Sequence, residues 1–210
     1  WMWRIPTQQR FGNGYVFCDD FITEDQAWKE VQQQVDEPVE IGKKIKFGAG
    51  HVKEFWIKNC VTVGLAGMFV EPLEASSIGS TIQQLFRLGV ALNGYDKGNT
   101  IQAQKYNKTM SEVAENIIDF IQVHYINQRR DSEFWQWCAS NLKLTDFNKE
   151  QLPQIIANGP SQANFSDNPF IMFNFLNFTQ VLWGLRLFDQ KVFKDRWENH
   201  YSWRQDFVDS

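Results

Sequence analysis

The stretch FVEPLEASSIGS, residues 69–80, sets the strongest limit on what this chain can fold into. The ring of Pro72 clashes with a helical residue before it, so Val70-Glu71-Pro72 is expected to be extended. A helix can begin only after that point. The residues that follow, SIGSTIQQLFRLGVALNGY, repeat apolar side chains at helical spacing. The stretch is therefore a strand-to-helix corner, and it gathers Glu71, Glu74, Ala75, Ser76 and Ser77 at the junction.

The first turn of a helix leaves backbone N–H groups unpaired and carries a partial positive charge. Small residues there let an anion approach those groups. Ser76 and Ser77 are small enough for this, and either one also suits the N-cap position itself. Glu74 has two readings as well. It satisfies N–H groups near the helix start, or it points into a cleft and acts as a base. Glu71, fixed by Pro72, reads as structural.

The rest of the chain falls to either side of this corner. WMWRIPTQQRFGNGYVFC, residues 1–18, reads as two strands, with Trp1, Trp3 and Ile5 on one face. Asn13-Gly14 predicts the tight turn between them, and residues 15–18 the return strand. Thr23 with Gln26 is a capping-box pattern that opens a helix from about Glu24 to Val35. KIKF, residues 44–47, reads as a short strand, FGAGH as a turn, and FWIKNCVTVGLA, residues 55–66, as a segment with a buried strand. Beyond the corner, Thr109 with Glu112 suggests a cap for the helix SEVAENIIDFIQVHYINQ, and Asp131-Ser132 one for EFWQWCAS. QLPQIIANGPSQANFSDNP reads as loop. FIMFNFLNFTQVLWGL is apolar nearly all round and expected to be buried, and VFKDRWENHYSWRQDF is amphipathic. The expected fold class is α+β and mostly helical, with mixed elements in residues 1–80 and helices in 81–210.

Composition narrows the function classes. The net charge of −4 argues against non-specific nucleic-acid binding. No apolar run is long enough to span a bilayer as a helix, and no signal peptide is recognisable. The three cysteines, Cys18, Cys60 and Cys138, are far apart, which suits a reducing cytoplasm and buried thiols. His51, His124 and His200 are isolated, so no metal site is expected. Nine Trp and 18 Phe supply either a large core or a pocket for a flat ligand. A strand-like run at the very first residue is the pattern of the later part of a longer protein.

Two motifs then carry a resemblance. Trp1-Met2-Trp3-Arg4-Ile5-Pro6 is similar to the W-x-W-x-I-P motif of flavin-dependent halogenases of the tryptophan halogenase type. NCVTVGLAGMFVEPLEASSI, residues 59–78, resembles their second signature block. DFIQVHY, residues 119–125, followed by DSEFW, resembles the family's helical half. The similarity covers most of residues 1–135 and corresponds to the C-terminal part of the family. The fold it implies is the C-terminal half of a flavin monooxygenase-like fold, a sheet segment plus a helical substrate-covering domain.

The resemblance also implies a chemistry. In the family, reduced FAD and oxygen convert a bound halide to hypohalous acid. That oxidant moves through an internal tunnel to a lysine beside an aromatic substrate, and a nearby glutamate assists the substitution. The glutamate maps to Glu74, and the backbone groups that hold the halide map to Ser76 and Ser77. Leu65 and Ile78 map to positions lining the flavin. Trp1 and Trp3 map to a barrier between flavin and substrate. The implied cofactors are FAD, reduced by a separate flavin reductase, and a halide ion. The implied partners are that reductase, an aromatic small molecule and the missing N-terminal half, with a homo-oligomer possible. The dinucleotide motif and the lysine lie upstream in the family, so this chain alone is expected to be inactive. Where the family commonly has Ser-Thr-Gly after the glutamate, this chain has Ala75-Ser76-Ser77, and the halide is left open. The cluster that grips free tryptophan is not recognisable here, which points to another aromatic or indole-like substrate. The rival readings are a monooxygenase of the same fold and a non-catalytic aromatic-rich fragment.

Overall fold

The computed structural model describes residues 1–35, 38–96, 99–159, 161–187, 191–192 and 194–195. In chain order the elements begin with β1 (Met2–Pro6), β2 (Phe11–Tyr15) and α1 (Glu24–Gln34). Four two-residue strands follow: β3 (Gly50–His51), β4 (Trp56–Ile57), β5 (Cys60–Val61) and β6 (Met68–Phe69). The rest is helical: α2 (Ser76–Asn93), α3 (Ile101–Tyr125), α4 (Glu133–Asn141), α5 (Asp146–Asn158) and α6 (Phe175–Gly184). The strands pair antiparallel as β1–β2, β3–β6 and β4–β5. The molecule is thus α+β and mostly helical, as expected. It divides into two compact units, Trp1–Phe47 with Arg129–Ser140, and Gly48–Gln128 with Asn141–Ser210.

In the first unit, β1 and β2 form a hairpin, but its turn is not at Asn13-Gly14. Those residues lie inside β2, where Gly14 pairs with Trp3 and Asn13 with Arg4. The chain reverses at residues 7–10, closed by the Thr7 N–H on the Arg10 carbonyl at 2.9 Å. Gly14 is needed for a different reason. A Cβ there would sit 1.8 Å from the Trp3 ring, so the indole lies across the glycine. Helix α1 starts where the cap predicts. The Thr23 hydroxyl accepts from Gln26 N–H, and the Gln26 side chain accepts from Thr23 N–H. Residues 44–47 form no strand. Lys46 instead reaches Asp19 at 2.6 Å and Lys44 reaches Glu24, leaving Ile45 exposed. Alternation alone does not make a strand when no partner edge is available. Phe21 packs edge-on against Phe134 and Trp137 of α4.

The second unit holds the main core, built around α3. Tyr106, Met110, Val113, Ala114, Ile117, Phe120 and Ile121 recur at helical spacing and are all buried. That stripe extends N-terminal to Thr109, so the helix begins at Ile101 and the expected cap at Thr109 falls in its middle. The Asn99 side chain accepts from Ile101 N–H at the true start. Phe120 stacks on Phe173 with centroids 3.9 Å apart and meets Phe178 at 5.1 Å. Two asparagines of α3 tie irregular segments to the helix. Asn107 pairs with both the N–H and the C=O of Trp56, and Asn116 does the same for Phe173.

Four further expectations change here. Residues 55–66 carry the β4–β5 hairpin and a 3₁₀ turn, with only Phe55 and Trp56 buried. QLPQIIAN is not loop but the second half of α5, despite Pro153 within it. Thr145 caps that helix through Asn148 N–H, and Leu152 and Ile155 are buried. Burial outweighs the hydrogen bond that the proline cannot make. Helix α6 buries Phe178 and Leu182 but leaves Trp183 half exposed, so it is not apolar-packed all round. FGAGH does not end as a turn, because Gly50-His51 pairs with Met68-Phe69. Most of the amphipathic stretch from 192 to 207 lies outside the described residues.

Candidate functional site

The corner at residues 69–80 is built as an extended segment, a short turn and a helix. Strand β6 ends at Phe69, a 3₁₀ turn covers Leu73–Ala75, and α2 starts at Ser76. The backbone between them is unusual. Glu74 (φ 60°, ψ 12°) and Ala75 (φ 49°, ψ 30°) both adopt left-handed conformation. Neither is glycine, so each costs on the order of 1–2 kcal/mol relative to ordinary backbone. Such strain persists only where surrounding contacts enforce it.

The N-cap of α2 is Ala75, and it offers no side-chain hydrogen bond to the helix start. Neither serine is the cap. Ser76 is buried as the first helical residue, and Ser77 follows it. The Ser77 carbonyl accepts from the hydroxyls of Ser80, at 3.1 Å, and Thr81, at 2.7 Å. No side chain caps the first-turn N–H groups, and Ala75, Ser76 and Ser77 beside them are small. This geometry suits an anion.

The two glutamates are held by consecutive residues at the end of α3. Glu74 Oε1 lies 3.1 Å from His124 Nε2, and Glu71 Oε2 accepts from the Tyr125 hydroxyl at 2.6 Å. His124 Nδ1 lies 3.0 Å from the Phe120 carbonyl, and its ring meets Phe120 edge-on at 5.1 Å. Glu74 is partly open to solvent, whereas the His124 side chain is mostly covered. Sequence reasoning quoted DFIQVHY but gave these two residues no role. The contacts span 50 and 54 residues, which no local pattern reports.

Leu65 and Ile78 belong to neighbouring segments. The turn Gly64–Ala66 is fastened to α2 by the Gly64 N–H on Gln84 Oε1 at 2.8 Å. Leu65 is 65% exposed and Ile78 74% exposed. Both are apolar side chains left open on segments tied together by that bond. The sequence has no G-x-G-x-x-G motif for a phosphate cradle. Open apolar side chains of this kind are compatible with part of a flavin site. Trp1 and Trp3 lie in the other unit, with ring centroids 5.4 Å apart, both half-buried. Among the described residues no group of His, Cys, Asp and Glu is placed to hold a metal, and no helix is long and apolar enough to cross a membrane.

Tryptophan 7-halogenase RebH of Lentzea aerocolonigenes is 32% identical over 202 residues, covering 89% of this chain and 38% of the relative. Tryptophan 7-halogenase KtzQ of Kutzneria sp. is 33% identical over 141 residues, covering 66% of this chain and 26% of the relative. Among solved structures, the flavin-dependent halogenase BrvH from Brevundimonas sp. BAL3 superposes with a TM-score of 0.80 at 28% identity. Xcc4156, a flavin-dependent halogenase from Xanthomonas campestris, gives 0.81 at 27% identity. Each of these two covers 90% of this chain, which in turn spans 38% of theirs. The pattern that defines the Tryptophan halogenase family matches residues 1–196, and the chain belongs to that family.

Proposed function

We propose that this chain is the C-terminal part of an FAD-dependent halogenase acting on an electron-rich aromatic or indole-like compound. The observation that carries the reading is the corner itself. An uncapped helix start and an adjacent carboxylate, Glu74, occur together in a member of this family. The first-turn N–H groups of Ser76 and Ser77 hold the halide. Glu74 assists the aromatic substitution as a base. Leu65 and Ile78 contribute an apolar face to the flavin. Bound reduced FAD supplies the oxygen chemistry that oxidises the halide. Residues 1–80 serve the flavin side and 81–210 cover the substrate. The activity belongs to the whole protein, with a flavin reductase as its transient partner, in the cytoplasm.

The test is halide dependence in the full-length protein. With reduced FAD, oxygen and an indole panel, bromide should yield products heavier by one bromine for hydrogen exchange, and none without halide. An oxygenated product that forms equally without halide would replace this reading with a monooxygenase of the same fold. No product and no flavin binding would favour a non-catalytic role.

A further inference from the structure

We infer that His124 is the positioning residue for Glu74. The inference rests on the proposed role of Glu74 as the base. His124 Nδ1 lies 3.0 Å from the Phe120 carbonyl, and the ring also meets the Phe120 ring edge-on, so the imidazole is held in place from its own helix. The other ring nitrogen, Nε2, lies 3.1 Å from Glu74 Oε1. With a hydrogen on Nε2, the imidazole donates to that carboxylate oxygen. His124 stands in the last turn of α3, where the helix end favours a positive side chain.

The consequences follow from the geometry. With the proton on Nε2, Glu74 is a carboxylate whose Oε1 is engaged and whose Oε2 makes no hydrogen bond among the described residues. His124 thus fixes which oxygen faces the reaction. It also fastens a residue whose backbone is left-handed and strained. Tyr125 holds Glu71 in the same way at 2.6 Å, so the end of α3 clamps the corner at two points. In the substitution, the ring bonds to the halogen of hypohalous acid and the acid's hydroxide leaves. The ring C–H bond then breaks, and its electron pair returns to the ring. The proton passes to Glu74 Oε2 and ends with the hydroxide as water.

The experiment compares three variants of the full-length enzyme by kcat, KM and FAD binding. His124→Phe keeps the ring shape against Phe120 but removes both ring nitrogens. His124→Gln retains an N–H near the Nε2 position. His124→Phe should lower kcat about 10- to 100-fold, with KM and FAD binding close to wild type. His124→Gln should recover most of that loss. Equal kcat for His124→Phe and wild type would overturn the inference, and so would equal losses in the Phe and Gln variants. Glu74→Gln separates the two readings. If it abolishes turnover while His124→Phe does not, the base stands and the positioning role falls. If Glu74→Gln leaves turnover intact, the role of Glu74 fails, and the inference with it.

Discussion

Trp3 and Gly14 illustrate how a single residue's purpose is read wrongly from sequence. Asn-Gly between alternating residues is a strong turn signal. Here Gly14 is inside the strand because the Trp3 indole crosses it, and any Cβ would overlap that ring. A cross-strand contact decided its use, and local pattern carries no record of that. Asp119 is a second case, invisible in sequence because it depends on burial. Burial pushes its carboxyl up to about 6 from an ordinary 3.8, Glu115 adds to the rise, and a hydrogen bond from Thr145 partly opposes it. The folded state therefore binds this proton more tightly than the unfolded chain. Its stabilisation is complete below about pH 4 and is lost as the pH rises through 6. Asp119→Asn should remove that pH dependence, which is on the order of 2 kcal/mol between pH 4 and 7. Urea midpoints of both proteins at the two pH values would show it. Parallel pH profiles would contradict it.

At the scale of elements, capping and apolar periodicity were legible where they acted together. The Thr23 box and the helix after it agree with expectation, as does α2 beginning just past Pro72. They misled where one signal stood alone. Thr109 with Glu112 has the spacing of a cap, but the buried stripe of α3 continues through it. Pro153 has the look of a breaker, but Leu152 and Ile155 keep α5 folded around it. The segment before α6 is held without regular structure of its own, by Asn116 pairing both polar groups of Phe173 at 2.8 and 2.9 Å. Asn116→Leu would leave a buried N–H and C=O unpaired, at about 1–3 kcal/mol each. Unfolding of this variant should need less urea by an amount equivalent to about 2–5 kcal/mol. A midpoint equal to wild type would mean that this strap does not stabilise the core.

Across the whole molecule, family and fold class were readable because two motifs carry them, W-x-W-x-I-P at the start and FVEPLE at the corner. The corner's chemistry was readable only in part. Glu74 and the small residues after it stood out, yet the side chains that hold the glutamates come from the far end of α3. The two compact units are likewise discontinuous in sequence, with residues 129–140 joining the first. No linear division shows that. The proposed role of the Glu74 carboxylate is to act on the aromatic substrate. Its most direct test is single-site: Glu74→Gln in the full-length enzyme, with brominated product and FAD affinity measured on the same preparation. A fall in turnover of about 100-fold or more with unchanged FAD affinity is the predicted result. Turnover equal to wild type would contradict it.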